Sequence, residues 1–129
     1  MSSGPRTMTL AVTPSDITLF RFSAVTWNPH RIHFNDAYAR SEGRPGALVH
    51  SHLRAAYAMR AATDLAGRDR TIEFASYRVT RNVTPGTTLS YTAEVDHCEE
   101  GHSILRVVET DEQGNVGLEG TFRLSPEKE

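Results

Sequence analysis

The run Ser51-His52-Leu53-Arg54-Ala55-Ala56-Tyr57-Ala58-Met59-Arg60-Ala61-Ala62-Thr63-Asp64-Leu65-Ala66 decides the fold. Ser51 suits a helix N-cap, and the stretch reads as a helix to about Ala66, the longest in the chain. It is apolar nearly all round, interrupted mainly by Arg54 and Arg60, which predicts burial on several sides. A sheet wrapped around the helix meets that requirement.

Downstream the pattern changes to strands. Thr71 to Val83 leads into the turn Thr84-Pro85-Gly86. Thr87 to Asp96 then alternates Leu89, Tyr91, Ala93 and Val95 against Thr88, Ser90, Thr92 and Glu94. Ser103 to Glu109 and Val116 to Leu124 form a further pair, joined by the hairpin-like Asp111-Glu112-Gln113-Gly114-Asn115. Upstream, Ala47-Leu48-Val49-His50 is a short apolar approach, and Asn35 to Arg40 reads as a helical turn closed by Gly43, Pro45 and Gly46. Ile17 to Thr26, rich in β-branched and aromatic residues, reads as a strand that ends at Trp27-Asn28-Pro29-His30, where proline removes a backbone donor. The expected architecture is α+β: strand, short helix, long helix, four strands, with one antiparallel sheet on one Ala-rich helix. Residues 9–125 form the domain, with flexible ends expected at 1–8 and 126–129.

A chain of 129 residues supports one domain with its own core. Its 38% hydrophobic and 23% charged residues are ordinary for a globular protein and exclude disordered, collagen-like and coiled-coil classes. No stretch reaches the roughly 18 apolar residues of a membrane span, and no apolar export region follows Met1 to Thr7. The lone Cys98 predicts neither an internal disulfide nor a cysteine zinc site, so the expected compartment is the cytoplasm. A net charge of -2 with scattered basic residues gives no footprint for nucleic acid. The histidines are uneven, however: His30, His33, His50 and His52 crowd into one part of the chain.

Two of them fall in Phe20-Arg21-Phe22-Ser23-Ala24-Val25-Thr26-Trp27-Asn28-Pro29-His30-Arg31-Ile32-His33-Phe34-Asn35-Asp36-Ala37-Tyr38-Ala39. Spacing alone leaves two readings: a ligand site on a loop, or hydrogen-bonded structural histidines. This segment resembles the hydratase motif of the MaoC-like hot-dog family, the (R)-specific enoyl-thioester hydratases and dehydratases. The likeness is greatest to its mesaconyl-CoA and itaconyl-CoA hydratase and mitochondrial thioester dehydratase branch. The family pattern of small residue, Gly, Asp, any, Asn, Pro, aliphatic, His aligns without gaps on Thr26 to His33. His33 then takes the place of the catalytic His, Asn28 that of the catalytic Asp, His30 that of Asn and Arg31 that of Pro. Pro45-Gly46-Ala47-Leu48-Val49-His50-Ser51-His52-Leu53 is similar to the family's approach to its central helix, with Ser51 for the usual Gly. Val83-Thr84-Pro85-Gly86-Thr87-Thr88-Leu89 is similar to its later strand-turn-strand.

The resemblance implies a hot-dog fold and water addition to, or removal from, an acyl thioester on coenzyme A or a carrier protein. It implies no metal or redox cofactor and no nucleic acid or membrane partner. The neutral imidazole of His33, with an unperturbed pKa near 6.5, suits a general acid/base. Asn28 can orient water but cannot take its proton, so His33 does both transfers or His30 assists. Asp36 is the nearest carboxylate, or else a helix cap. Backbone N–H groups at the Ser51 helix start can receive charge on the thioester oxygen. Arg31 is a candidate for a substrate carboxylate or an ordinary surface ion pair. Trp27 and Tyr57 line an acyl pocket or pack the core, and His50 orients the loop or the ligand. Arg54, Arg60 and Arg68 meet coenzyme phosphates or are solvated.

The fold also hosts thioesterases, which use a helix or loop carboxylate. Here the helix carries only Asp64, far from its start. A third reading is a non-catalytic thioester-binding subunit, since the similar branch joins two hot-dog units in one chain. A homodimer supplies the missing unit most simply; a second polypeptide is the alternative.

Overall fold

The computed structural model describes residues 6–127. Strand β1 (Thr7–Val12) precedes helices α1 (Asp16–Thr26), α2 (Asp36–Ser41) and α3 (Ser51–Ala66). Strands β2 (Ile72–Val79), β3 (Leu89–Glu99), β4 (His102–Thr110) and β5 (Val116–Leu124) follow. They form one antiparallel sheet in the order β1-β3-β4-β5-β2, so the expected α+β architecture of one antiparallel sheet on a long helix is present.

The sheet packs on α3 as its alanines require. Ala58, Ala61 and Ala62 have no exposed surface and lie in one core with Leu89, Tyr91, Ala93, Leu105, Val107, Leu118, Phe122 and Leu124. Small side chains let the helix axis approach the strands, and the large side chains of the sheet fill the remaining space. Asp111 organises the β4–β5 hairpin by accepting from the Gln113 and Asn115 N–H groups, both at 2.9 Å. Glu100 and Gly101, at φ 51 and 82, close the β3–β4 hairpin in the left-handed region that a tight two-residue turn needs.

Three expectations are corrected. Ile17 to Thr26 is helix α1, not a strand. Ser15 caps it in a reciprocal capping box with Thr18, and Leu19, Phe22 and Ser23 turn inward with helical spacing while Phe20 is 64% exposed. The edge strand instead comes from Thr7–Val12, paired with β3 from Thr7↔Glu94 to Val12↔Leu89. The flexible start expected at 1–8 therefore does not extend to Thr7 and Met8; residues 1–5 lie outside the described residues, as do 128 and 129. Finally, Ser51 is not the N-cap of α3. His50 takes that position, and no side chain caps the helix. Among the described residues, no helix is long and apolar enough to cross a membrane.

Candidate active site

The site begins where α1 ends. Trp27 adopts φ 54, ψ 42, and its N–H bonds the Ser23 carbonyl, as does that of Asn28 at 3.0 Å. Pro29 then turns the chain into the short 3-10 turn Arg31–His33, capped by His30, whose Nδ1 accepts from the Ile32 N–H at 3.3 Å. This turn docks on the approach to α3. Ile32 O accepts from the Leu48 N–H at 2.8 Å, and His33 Nδ1–H donates to Leu48 O, also at 2.8 Å. One residue later Val49 N–H bonds Val83 O at 2.8 Å, so the turn near Val83 is drawn to the same place.

These bonds bring His33 onto His50. The two imidazoles stack with centroids 3.8 Å apart and an interplanar angle of 16°. Phe22 meets His50 edge-on at 4.8 Å, and His50 Nε2 is 2.8 Å from Ser23 Oγ. His50 is 1% exposed and its Nδ1 has no partner. Burial, with His33 and His52 nearby, lowers its pKa to about 4. Burial also lowers the pKa of His33, against the bond to the Leu48 carbonyl. Both rings are therefore neutral at pH 7. Since Nδ1 of His33 carries the proton given to Leu48, its Nε2 holds a lone pair.

A cleft of about 320 Å³ is lined by Phe20, Ser23, Ala24, Trp27, Pro29 and Phe34. Its walls are apolar, and Ser23 connects it to His50. A depression of about 380 Å³ on the outer face of the sheet, beside Ser76, Arg78, Arg106, Glu119 and Thr121, carries no imidazole. The cleft that reaches Ser23, and through its hydrogen bond His50, is the better site for proton-transfer chemistry. Among the described residues no group of three or more His, Cys, Asp or Glu could hold a metal ion.

The other expected residues divide. Asn28 is half-buried beside the histidines, its Oδ1 accepting weakly from the His30 N–H at 3.4 Å. His30 lies 6.2 Å from His33, centroid to centroid. Exposed Arg31 sits over the Tyr38 ring at 5.7 Å and, among the described residues, forms no ion pair. Trp27 lines the cleft with 90% of its surface exposed, so it is not core. Ser51, exposed, opens α3 beside His50. Tyr57 turns toward the sheet, with its ring 5.8 Å from that of Tyr91. Asp36 caps nothing: Asn35 caps α2, while Asp36 binds Ala47 N–H and Arg40 Nε at 2.9 and 2.8 Å.

Arg54 is also reassigned. It is 1% exposed and gives Nε and Nη2 to Glu109 at 2.9 and 2.5 Å, so it is neither solvated nor free for a phosphate. Arg60 and Arg68 pair with Asp64. The sequence reading missed Ser23. Its signal was a hydroxyl four residues after Leu19, on the buried face that appears once the segment is read as a helix.

Comparison with known proteins follows the same lines. The family model for hydroxyacyl-thioester dehydratase type 2 matches residues 2–85. A mesaconyl-C(4)-CoA hydratase of Chloroflexus aurantiacus is 48% identical over 56 residues, 43% of this chain but only 20% of that protein. The chain thus aligns with about a fifth of its curated relative. An (R)-hydratase from A. caviae involved in PHA biosynthesis superposes with TM-score 0.90 at 17% identity, covering 98% of each chain. The ChsH1-ChsH2 complex from Mycobacterium tuberculosis gives 0.89 at 19% identity, covering 98% of this chain and 100% of that one. At such identities the likeness shows the fold, which is a hot-dog.

Proposed function

The chain belongs to the hydroxyacyl-thioester dehydratase type 2 family of MaoC-like hot-dog proteins, and from that premise we propose that it adds or removes water at the Cα–Cβ bond of an acyl thioester. The observation that carries this reading is the single tautomer of His33, with a bare Nε2 on a ring stacked against His50, the N-cap residue of α3, whose start has no side-chain cap. In the hydration direction, Nε2 accepts a proton from water as its oxygen bonds to Cβ. The electron pair of the double bond moves toward the thioester carbonyl. Backbone N–H groups at the start of α3 receive the charge on that oxygen. The resulting imidazolium then protonates Cα, and the carbonyl reforms. Asn28 and His30 orient the water. The reaction is redox-neutral and needs neither a metal nor a redox cofactor; coenzyme A or phosphopantetheine enters as part of the substrate.

Arg31, which has the Tyr38 ring beneath it and among the described residues forms no ion pair, is suited to a dicarboxylic acyl group through a bidentate pair. The cleft between Phe20, Trp27 and Phe34 takes apolar parts of the acyl chain or its carrier arm. Thioesterase chemistry is disfavoured because Asp64, the one acidic residue of α3, is paired with Arg60 and Arg68 near the far end. A cytoplasmic homodimer completes the reading. In β2, Glu73 to Arg78 are all exposed, including Phe74 and Tyr77, and the strand pairs with β5 on one side. An edge of this kind calls for a partner strand, from a second copy or from a second hot-dog subunit.

The test is product analysis with a panel of enoyl-CoA and 3-hydroxyacyl-CoA thioesters. Reversible water addition without thiol release is expected, with His33→Ala reducing the rate at least about 100-fold. Thiol release alone would support a thioesterase. Turnover appearing only after a second protein is added would support a non-catalytic subunit.

A further inference from the structure

Resting on His33 as the acid/base, we propose that Ser23 is a positioning residue, which through His50 holds the His33 ring in the plane that lets its Nδ1–H reach Leu48 O and so leaves Nε2 free. His50 Nδ1 is buried without a partner. A buried N–H without an acceptor costs more than a buried lone pair, so the proton of neutral His50 resides on Nε2 and is donated to Ser23 Oγ at 2.8 Å. That bond fixes the plane of the His50 ring. His33 stacks on this plane at 3.8 Å while its own Nδ1–H is anchored to Leu48 O. Ser23 thus couples α1 to the proton-transfer group without touching it.

The geometry also governs charge. Among the described residues, the groups facing the stacked pair are Phe22 and Ser23 from α1, Asn28 and His30 from the turn that follows it, His52 from α3 and the Leu48 carbonyl. None is a carboxylate, so nothing compensates a second proton on the pair. A proton taken up by His33 is repelled by one on His50, and burial keeps His50 neutral. His33 can then cycle its proton alone.

Ring ¹⁵N NMR of protein labelled at histidine, from pH 8 to 5, tests the arrangement without any substrate. In the native chain His50 should remain neutral and Nε2-protonated throughout, and His33 should carry its proton on Nδ1 at pH 7. Ser23→Ala should give mixed tautomers at both rings. It should lower kcat by up to about 10-fold, the scale of one neutral hydrogen bond, with KM little changed, and Ser23→Thr should restore both. A native His50 protonated on Nδ1, or titrating in step with His33, would overturn the proposal even if the alanine variant failed to fold. So would a folded Ser23→Ala protein whose His33 signals match the native ones, whatever its melting temperature. A chain that hydrates no acyl thioester while showing the expected ring signals would instead sink the enzymatic reading and leave the Ser23 coupling standing.

Discussion

His50 is a residue whose burial has a measurable pH signature. Its ordinary value of 6.5 falls to about 4 in the folded chain, so between those values the unfolded chain binds a proton that the folded one refuses. The stability it permits is complete above about pH 6.5 and declines as pH falls toward 4, by on the order of 3 kcal/mol at the lower end. Urea unfolding at pH 7, 6 and 5 should show the decline, and His50→Phe should flatten it. Asp36 and Asp111 have carboxyls held below the usual 3.8 by hydrogen bonds, from Arg40 foremost and from Asn115 foremost respectively. Their effect is lost only as pH falls through still lower values, outside that window. At this scale the sequence showed a histidine cluster and offered two readings of it. It could not show that His33 and His50 share a stacking plane, because sixteen intervening residues loop out and return. That return depends on the Ile32–Leu48 pairing.

Among the elements, α3 is anchored by a polar cluster inside an apolar core. Arg54 binds Glu109 with two nitrogens, and its remaining hydrogen bonds go to the carbonyls of Arg81 and Gly117 at 2.7 and 3.0 Å. Tyr91 donates to the same Glu109 at 2.6 Å. Gly117 makes room for this: a Cβ there would lie 2.5 Å from Glu109 Oε1 and 2.7 Å from Arg54 Nη2. Glu109→Ala leaves a buried guanidinium uncompensated, and a loss of about 3–5 kcal/mol is expected in equilibrium unfolding. Removing the α1 cap by Ser15→Ala should cost only about 1 kcal/mol in the same measurement. The long helix was legible from alanine and arginine spacing, but the burial of Arg54 was not. Its partner lies 55 residues away, and only the pairing of β3, β4 and β5 brings them together. The misreading of α1 has a related cause. β-branched and aromatic residues fit a half-buried strand, yet a capping box at Ser15 and the burial of Leu19 and Ser23 outweighed that preference.

At the scale of the molecule, the sheet ends on β2, with Phe74 55% and Tyr77 36% exposed. If two copies pair there, sedimentation should give twice the mass of one chain. Phe74→Lys with Tyr77→Lys should then shift the protein toward the monomer, since lysines on an edge oppose strand pairing. An unchanged dimer would place the contact elsewhere. By itself the amino-acid order determined the central helix, the four strands after it and the segment bearing His33. Each of those rests on local periodicity, on turn residues or on a contiguous motif. Tertiary structure alone decided that the chain starts the sheet with Thr7–Val12, that His50 rather than Ser51 heads α3, and that Ser23, His50 and His33 form one hydrogen-bonded and stacked column. The strand pairing and the column are contacts between residues far apart in sequence, and the free energy that selects them comes from burying the surfaces between elements.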